Sequence, residues 1–275
     1  MNGLSAMPHR EGLFQAFVLH RRDYTNTSLL LEVFGSGQGR FPAIAKGARR
    51  LRNPGSALLQ PFQPLWLAVV GRGEVRTLTR IEGAGRPIPL QGRALLAGFY
   101  LNELLIRLLG RQDPHDRLFD AYQAALAQLA EADDLDTLLR QFELRLLAEL
   151  GYGLTLDREA DSGNPVRADR CYRFESERGV QPAAPDTREP TLSGSTLLAL
   201  ACGTPLESTQ RREARRLCRQ ALAPHLGERP LQSRELYRRW YGDHPQVEPE
   251  KKPIVRSSLP IAWANKFAPT NCLGE

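Results

Sequence analysis

The sequence has few of the features that mark secreted, membrane-spanning or disulfide-stapled proteins. Only four cysteines occur among 275 residues, and no two form a Cys-x-x-Cys pair, so neither a disulfide framework nor a zinc knuckle is expected. The longest uninterrupted apolar runs, at 65–70 and 197–202, are six residues long, whereas a membrane helix needs about 20. The first dozen residues contain no apolar segment typical of a secretory signal. These absences predict a cytoplasmic protein without membrane contact.

Motifs of the common enzyme classes are also missing. The glycine-rich segment 35–39 lacks the Gly-x-Gly-x-x-Gly spacing and a following helix, so it predicts a turn. There is no Gly-x-x-x-x-Gly-Lys-Ser/Thr segment and no Gly-x-Ser-x-Gly elbow. Asp133, Asp134 and Asp136 precede an apolar helical stripe, where carboxylates complement the helix dipole rather than hold metal. The sequence predicts a protein that is not an enzyme and needs no metal or other cofactor.

Positive charge is concentrated in the first third of the chain. The formal net charge is +6, yet residues 1–80 carry 11 Lys and Arg against 4 Asp and Glu, whereas the remaining 195 residues carry 26 against 27. This local excess favours a polyanionic partner, and nucleic acid is the commonest of these. A basic bias that only aids solubility is the alternative that charge alone leaves open.

The same first third has the pattern of a small β-barrel. It contains five short apolar or alternating runs, and turns rich in Gly, Pro and Asn separate them. The runs begin near Phe14, Leu29, Arg40, Leu65 and Glu74. Five short strands with a basic excess predict an OB-type barrel over residues 1–80.

After Pro89 the spacing of apolar residues becomes helical. Leucine-rich stripes recur every three or four residues over about 97–108, 118–129 and 135–146. None of these helices can bury its apolar face alone, so we expect them to pack as a bundle.

The rest of the chain divides into an insertion, further helices and a tail. Residues 152–192 are rich in Pro, Gly and Asp and predict a loop-rich insertion with one short strand at 171–174. Helical signals then return, and Ser233 is a predicted N-cap. The helical domain is expected to span 81–241, with 242–275 as an extended or disordered tail. The predicted fold class is therefore α+β with two domains.

Two groups of basic residues are candidates for contact with nucleic acid. The first is a loop after the third strand that carries four cations within seven residues, and nearby strand ends add further arginines. Tyr24, Phe41 and Trp66 could stack on bases, as aromatic residues of OB barrels do, although the rings could equally belong to the core. The predicted DNA contacts of this group are Lys46, Arg49, Arg50 and Arg52, followed by Arg21, Arg22, Arg40 and Arg72.

The second basic group is a row of arginines late in the chain. Arg211, Arg215 and Arg219 are spaced i,i+4 and share one face of a predicted helix. Like charges at this spacing are mildly destabilising, so an anionic partner such as DNA is one explanation. A solvated face that neighbouring glutamates partly neutralise is the other.

Several short segments resemble the bacterial recombination mediator family RecO. The similar segments are Ala16-Phe-Val-Leu-His20, Ala45-Lys-Gly-Ala-Arg49, Gly71-Arg-Gly-Glu-Val75, Tyr100-Leu-Asn-Glu-Leu104 and Leu150-Gly-Tyr-Gly153. They occur in family order within about residues 12–241. The resemblance rests on their combination and not on any single motif.

The resemblance implies non-enzymatic work on DNA. RecO proteins bind single- and double-stranded DNA, anneal complementary strands and bind the acidic C-terminal tail of the single-strand-binding protein SSB. They act with RecR to load RecA, with RecF as a further candidate partner. For this chain the resemblance implies the same partners, a place at the nucleoid and phosphate contacts from the basic loop. The alternative is a protein–protein adaptor that docks acidic partners and contacts DNA only incidentally.

The resemblance also implies a pocket for the SSB tail in the helical domain. An acidic tail that ends in Phe needs a guanidinium beside an apolar hole, and we expect Arg140, Phe142 and Arg145 on the third helix to supply them. Some RecO proteins hold zinc after Leu-Gly-Tyr-Gly through two Cys pairs. Here only Cys171 falls in that region, so no zinc is expected.

Overall fold

The computed structural model describes residues 12–50, 54–184 and 190–242. These residues form two compact units. Of the described residues, the first unit holds those up to Gly92 together with 109–119, and the second holds 93–108 and those from 120 to 242. The predicted α+β class, a five-stranded barrel followed by helices, is confirmed. Arg52 and residues 243–275, which include nearly all of the predicted tail, lie outside the described residues.

The first unit is built on a closed barrel of five strands. They are β1 (Phe14–Asp23), β2 (Leu29–Gly35), β3 (Gly39–Ala45), β4 (Leu65–Val70) and β5 (Arg76–Gly83), and a 3-10 helix, Pro54–Leu58, precedes β4. Around the barrel the strand order is β1-β2-β3-β5-β4. Neighbouring strands are antiparallel except β3 and β5, which run parallel with Ala43 beside Arg76. This is the strand order of an OB-type barrel.

Apolar side chains fill the barrel because alternate residues of each strand point inward. Val18, Val33, Phe41 and Leu67 are completely buried in this core. Outside the barrel wall, Phe17 and Phe34 are also buried. Both rings contact Phe119, with centroids 5.8 and 5.4 Å away. This second contact explains why β1 and β2 are apolar on both faces.

The second unit contains helices and a small sheet. The strand predicted at 171–174 is confirmed, and a short strand pairs with it on each side. Within the described residues, none of the helices combines the length and apolar character that crossing a membrane requires. The elements are α1 (Gly92–Leu108), α2 (Asp116–Leu129), α3 (Leu135–Glu149), β6 (Cys171–Glu175), β7 (Gly179–Pro182), β8 (Leu192–Ser193), α4 (Gly194–Cys202), α5 (Ser208–Leu226) and α6 (Gln232–Tyr241). The first four residues of α2 belong to the first unit.

The start of α6 corrects one sequence prediction. The N-cap residue is Leu231, and Ser233 lies inside the helix. The N–H and hydroxyl of Ser233 both donate to the buried carboxylate of Glu103, at 2.8 and 2.6 Å. Gln232 donates its N–H to the same carboxylate at 2.9 Å. Glu103, from α1, therefore does for α6 what a local cap would do.

Candidate nucleic-acid interface

Three strand ends meet at one end of the barrel. Asp23, which ends β1, pairs with Leu29, which begins β2, and Leu29 pairs with Ala45, which ends β3. The β1–β2 connection and the loop after β3 therefore leave the barrel side by side. The second of these loops, residues 46–50, carries the described part of the basic group that the sequence singled out.

Arg49 fastens these two loops together. Its backbone N–H donates to the Thr27 carbonyl at 3.0 Å, and its Nη1 donates to the Thr25 carbonyl at 2.7 Å. Its Nη2 lies 2.9 Å from the Asp23 carboxylate. The hydroxyl of Thr25 accepts the N–H of Ser28 at 3.1 Å. Since these bonds already order the loops, binding here would cost little conformational entropy.

Four cations and one exposed ring form what we call the barrel-end cluster: Arg22, Tyr24, Lys46, Arg49 and Arg50. Tyr24 is 49% exposed, three of the cations are exposed and Arg22 is half-buried. Among the described residues only Arg49 of these cations forms an ion pair, and its partner Asp23 is the acidic member of this end of the barrel. The cluster therefore keeps a net positive charge toward solvent.

The prediction for Arg40 needs correction. Its guanidinium forms an ion pair with Glu32 and donates to the Leu109 carbonyl from Nε at 3.1 Å and from Nη2 at 2.8 Å. Its side chain is only 12% exposed. Arg40 is therefore a structural residue of the first unit, since its guanidinium is already bonded to Glu32 and to the Leu109 carbonyl.

Arg21 and Arg72 lie apart from the cluster for different reasons. Arg21 pairs in register with Leu31, whose side chain is in the core, and its Nη1 donates to the Leu59 carbonyl at 3.4 Å. Burial lowers the pKa of Arg21, and Asp23 partly offsets that shift. Arg72 is exposed but lies in the β4–β5 hairpin, at the opposite end of the barrel.

The three predicted stacking rings have different environments. Tyr24 belongs to the barrel-end cluster, as described above. Phe41 is completely buried, with the Arg76 guanidinium 4.5 Å from its ring centroid, so its predicted role in base stacking needs correction. Trp66 is half-buried on the barrel surface, in register with Gln15 and Glu82. One of the three rings thus lies in the cluster.

The arginine row on α5 is largely tied to α3. Arg211 pairs with Asp134 at 3.3 Å and Arg215 pairs with Asp136 at 2.8 Å. Asp134 is also the N-cap of α3 and accepts the Thr137 N–H at 3.3 Å. The carboxylates predicted to start a helix do so, and they also neutralise two members of the row. Arg211 and Arg215 are therefore not free cations, and their role as DNA contacts stays a prediction.

The residues predicted for the SSB tail do not form one surface pocket. Phe142 is buried against the Tyr122 ring. Arg140 is buried in an ion pair with Glu143 at 2.6 Å, whereas Arg145 is half-exposed and pairs with Glu149. Five residues along a helix turn the side chain by about 140°, so the two arginines face different directions. The predicted three-residue pocket therefore needs correction.

Sequence reasoning missed a convergence of arginines in the second unit. Arg219 has its pKa lowered by burial and by the positive charges of Arg234, Arg238 and Arg140. The Arg234 guanidinium lies 5.6 Å from the Tyr100 ring centroid. We call Arg140, Arg219, Arg234 and Arg238 the helical arginine cluster. The i,i+4 spacing of Arg234 and Arg238 was the available signal, but their approach to α5 was not visible in the sequence.

One buried donor of this cluster is unsatisfied. The Nε–H of Arg140 has no acceptor among the described residues, although the side chain is only 8% exposed. Oε2 of its ion-pair partner Glu143 likewise has no donor among the described residues. The buried pair thus keeps one free donor and one free acceptor, and it is the donor, beside the other cations, that would stabilise an anion's oxygen. In the part of the chain that the structure describes, no group of three or more His, Cys, Asp or Glu side chains is placed to hold a metal ion.

A basic OB-type barrel joined to a helical unit is an architecture suited to holding nucleic acid. Family models agree with this class: "Recombination protein O N terminal" matches residues 10–85 and "Recombination protein O C terminal" matches residues 89–235. The chain belongs to the RecO family of DNA repair proteins, which are non-enzymatic recombination mediators.

Individual relatives show the same similarity over most of the chain. The DNA repair protein RecO of Nitrosospira multiformis is 48% identical over 225 residues, which cover 80% of this chain and 92% of that protein. The RecO of Methylococcus capsulatus is 49% identical over 231 residues, or 84% and 95% of the two chains. That of Pseudomonas aeruginosa is 45% identical over 221 residues, or 80% and 92%.

Proposed function

We propose that this chain binds single- and double-stranded DNA through the barrel-end cluster and anneals complementary strands. The observation that carries the proposal is the meeting of four cations and one carboxylate where three strand ends converge. Such cations follow phosphates without reading sequence, and Tyr24 offers a flat surface for a base. Annealing needs no nucleophile, because its obstacle is the repulsion between two polyanions, which a cationic surface reduces.

The family supports a wider role in the same process. We propose that the chain works in the cytoplasm at the nucleoid and acts with RecR, with RecF as a further candidate, to help load RecA onto SSB-coated DNA. RecA is an indirect partner in this proposal, since the contact runs through DNA and RecR. Membership of the RecO family is what supports these partners.

Annealing of complementary oligonucleotides by the double variant K46E/R50E tests the DNA proposal. Both side chains are exposed, and neither holds the loops as Arg49 does, so we expect annealing to be lost while the melting temperature changes little. The matched control is R167E/R178E, which makes the same change in net charge at two exposed arginines of the second unit. Equal annealing by the two double variants would contradict the proposal.

Salt dependence separates DNA binding from the adaptor alternative. Each phosphate contact on a single strand contributes a slope of about −0.7 to the plot of log K against log salt. Four contacts would make affinity for single strands fall steeply as salt rises. A flat slope would favour an adaptor whose DNA contact is incidental.

We further propose that the SSB tail binds at the helical arginine cluster. Arg140, Arg234 and Arg238 stand close enough for their charges to lower the pKa of Arg219, and the Nε–H of buried Arg140 is unsatisfied. Arg234 and Arg140 also approach one another through Tyr100 and Glu143, because Arg234 donates to the Tyr100 hydroxyl at 3.3 Å and Arg140 donates to Glu143 at 2.6 Å. An acidic peptide relieves both conditions because its carboxylates accept from guanidinium groups and offset the repulsion. This proposal retains Arg140 from the sequence prediction and replaces Phe142 and Arg145 with Arg219, Arg234 and Arg238.

Fluorescence polarisation with a labelled SSB-tail peptide tests this site. We expect R234A and R238A to weaken peptide binding about tenfold or more each, as loss of a charged hydrogen bond does, and to leave annealing of naked strands unchanged. R145A is the matched control, since Arg145 lies on another face of α3. Weaker binding by R145A alone would restore the original pocket and refute the new one.

A further inference from the structure

The helical arginine cluster carries more positive charge than the described residues around it neutralise. Arg140 has an ion-pair partner, Glu143, whereas Arg219 and Arg234 pair with no carboxylate among the described residues. Arg234 donates instead to the uncharged Tyr100 hydroxyl at 3.3 Å. Burial and the charges of the neighbouring arginines lower the pKa of Arg219. The cluster is therefore a surface that further carboxylates would stabilise.

The end of α6 directs the chain toward this cluster. Arg234, Arg238 and Gly242 follow one another at i,i+4 spacing, so they lie close to one face of the helix. Gly242 donates its N–H to the Arg238 carbonyl at 2.8 Å and ends the helix with a φ of +70°. The chain therefore leaves α6 on the side where two arginines of the cluster lie.

The sequence that follows Gly242 is acidic. Residues 243–250 read Asp243-His-Pro-Gln-Val-Glu-Pro-Glu250, with three carboxylates and neither Lys nor Arg. They lie outside the described residues and beyond the family model, which ends at residue 235. We call residues 243–250 the acidic segment. Its charge is opposite to that of the helical arginine cluster, and it begins at the residue after α6 ends.

The acidic segment is long enough to reach the cluster. Arg234 lies eight residues before Gly242, or about 12 Å along the helix axis. Glu248 lies six residues after Gly242, and six extended residues span up to about 20 Å. A tether this short gives an effective concentration on the order of 1 mM. Even a contact that is weak between separate molecules is therefore populated within one chain.

We propose that the acidic segment binds the helical arginine cluster of its own chain and competes there with the SSB tail. Its carboxylates accept from the guanidinium groups of the cluster, as those of any acidic peptide would. The inference rests on the proposed SSB-tail site and adds a regulation to it. The SSB tail must displace the segment before it binds, so the measured affinity is lower than that of the open site.

Fluorescence polarisation with a labelled SSB-tail peptide tests the competition. The full-length variant D243N/E248Q/E250Q removes the three charges of the segment. We expect it to bind the peptide about tenfold more tightly than the parent, which corresponds to a cluster that the segment occupies about nine-tenths of the time.

The matched control is E131Q/D157N/E177Q. It makes the same three types of replacement at exposed carboxylates of the second unit that form no ion pair within the described residues. Its net charge equals that of D243N/E248Q/E250Q, yet its affinity should stay within twofold of the parent. A gain as large as that of the segment variant would mean that net charge alone controls binding, and it would contradict the inference.

A second measurement does not use the SSB tail. A labelled synthetic peptide of residues 243–250 is titrated into D243N/E248Q/E250Q and into the same variant with Arg234 replaced by Ala. We expect binding to the first protein that weakens as salt rises. Binding to the second should be about tenfold weaker, because a charged hydrogen-bond partner is lost. Equal binding to the two proteins would overturn the proposed contact.

The results separate this inference from the site on which it rests. If the parent and D243N/E248Q/E250Q bind the SSB-tail peptide equally, and R234A weakens that binding, the SSB-tail site stands and the acidic segment does not occupy it. If neither protein binds the SSB tail but the synthetic peptide binds in a way that depends on Arg234, the SSB-tail site is refuted and the contact of the segment is supported. Absence of binding in both measurements refutes both proposals.

Discussion

Glu103 shows at the residue scale how one buried carboxylate can hold a helix. Its side chain is 1% exposed and accepts three hydrogen bonds from the first residues of α6. Tyr100 and Asn102 beside it are also buried, and each is hydrogen-bonded to a tyrosine or glutamate of another helix. The Tyr-Leu-Asn-Glu-Leu segment that resembles the family is therefore structural.

Replacing Glu103 by Gln should destabilise the protein. The amide removes the charge that three donors share, and hydrogen bonds to charged groups contribute about 1.5–3 kcal/mol. Urea unfolding should show a loss in that range. The matched control is Glu149→Gln, whose partner Arg145 is half-exposed, so its cost should stay below about 1 kcal/mol. Equal losses would contradict this account of α6.

Cys218 should resist alkylation in the folded protein. Burial and the neighbouring Glu143 carboxylate raise the pKa of the thiol well above its ordinary value, so it stays protonated, and therefore a poor nucleophile, at pH 8. Cys171 and Cys202 are exposed and should react with iodoacetamide within the same time. Peptide mass spectrometry reports each site separately. Modification of Cys218 as fast as Cys171 would contradict the burial.

At the residue scale, local sequence patterns predicted which side chains are exposed, but they did not predict which groups those side chains bond to. Lys46, Arg49 and Arg50 are adjacent in sequence, so their common location in one exposed loop could be foreseen. Arg40 could not be assigned correctly, because its acceptor, the Leu109 carbonyl, is 69 residues away. Ser233 has the composition of a cap, but the carboxylate that binds it lies 130 residues earlier.

At the scale of elements, the turn between β2 and β3 is a place where glycine is required. Gly37 and Gly39 have nearly equal positive φ values, +67° and +65°. A Cβ on Gly37 would meet nothing within 4 Å, whereas one on Gly39 would lie 2.2 Å from the Asp113 carbonyl oxygen. The sequence prediction of a turn here is correct, and the structure adds the reason for one of its glycines.

Alanine at these two glycines should separate backbone strain from steric overlap. Gly37→Ala should cost about 1–2 kcal/mol, since a left-handed conformation is the only penalty. Gly39→Ala should cost clearly more, because the Asp113 backbone must also move. Urea unfolding of both variants measures the difference. Equal destabilisation would contradict this account, because it would mean that the Asp113 backbone moves away from the new Cβ with no loss of stability.

The contact between α5 and α3 leads to a prediction that differs from the one made from sequence. R211A and R215A should each cost at most about 1 kcal/mol, as half-exposed ion pairs do, and should leave DNA affinity unchanged within twofold. Thermal melting and a DNA titration of the same samples measure both. A large loss of DNA affinity with unchanged stability would return these arginines to the DNA interface.

Element length decided which elements could be predicted. The strands of the barrel and the long helices have repeating apolar patterns, and they occur close to the expected positions. β7 has four residues and β8 has two, too few for a period to show. Their pairing with β6 is a tertiary choice that composition does not reveal.

At the scale of the whole molecule, the two units differ in their charge distribution. The basic excess of the first 80 residues is partly internal, because Arg40 and Arg49 form ion pairs. Arg49 and the other cations of the barrel-end cluster nevertheless stay at least partly exposed, as do Arg72 and Arg80. In the second unit acidic and basic residues are nearly balanced in number, yet four arginines still converge. A count of charges therefore predicts a DNA-binding barrel but not the second cluster.

The salt dependence of single-strand binding tests the central claim most directly. We would measure the affinity for a single-stranded oligonucleotide of one repeated base, oligo(dT), from low to high salt. The proteins compared are the parent, K46A, R50A and K46A/R50A. The account predicts a plot of log K against log salt that becomes shallower by about 0.7 for each cation removed. Parallel plots for all four proteins would show that the barrel end does not contact phosphates.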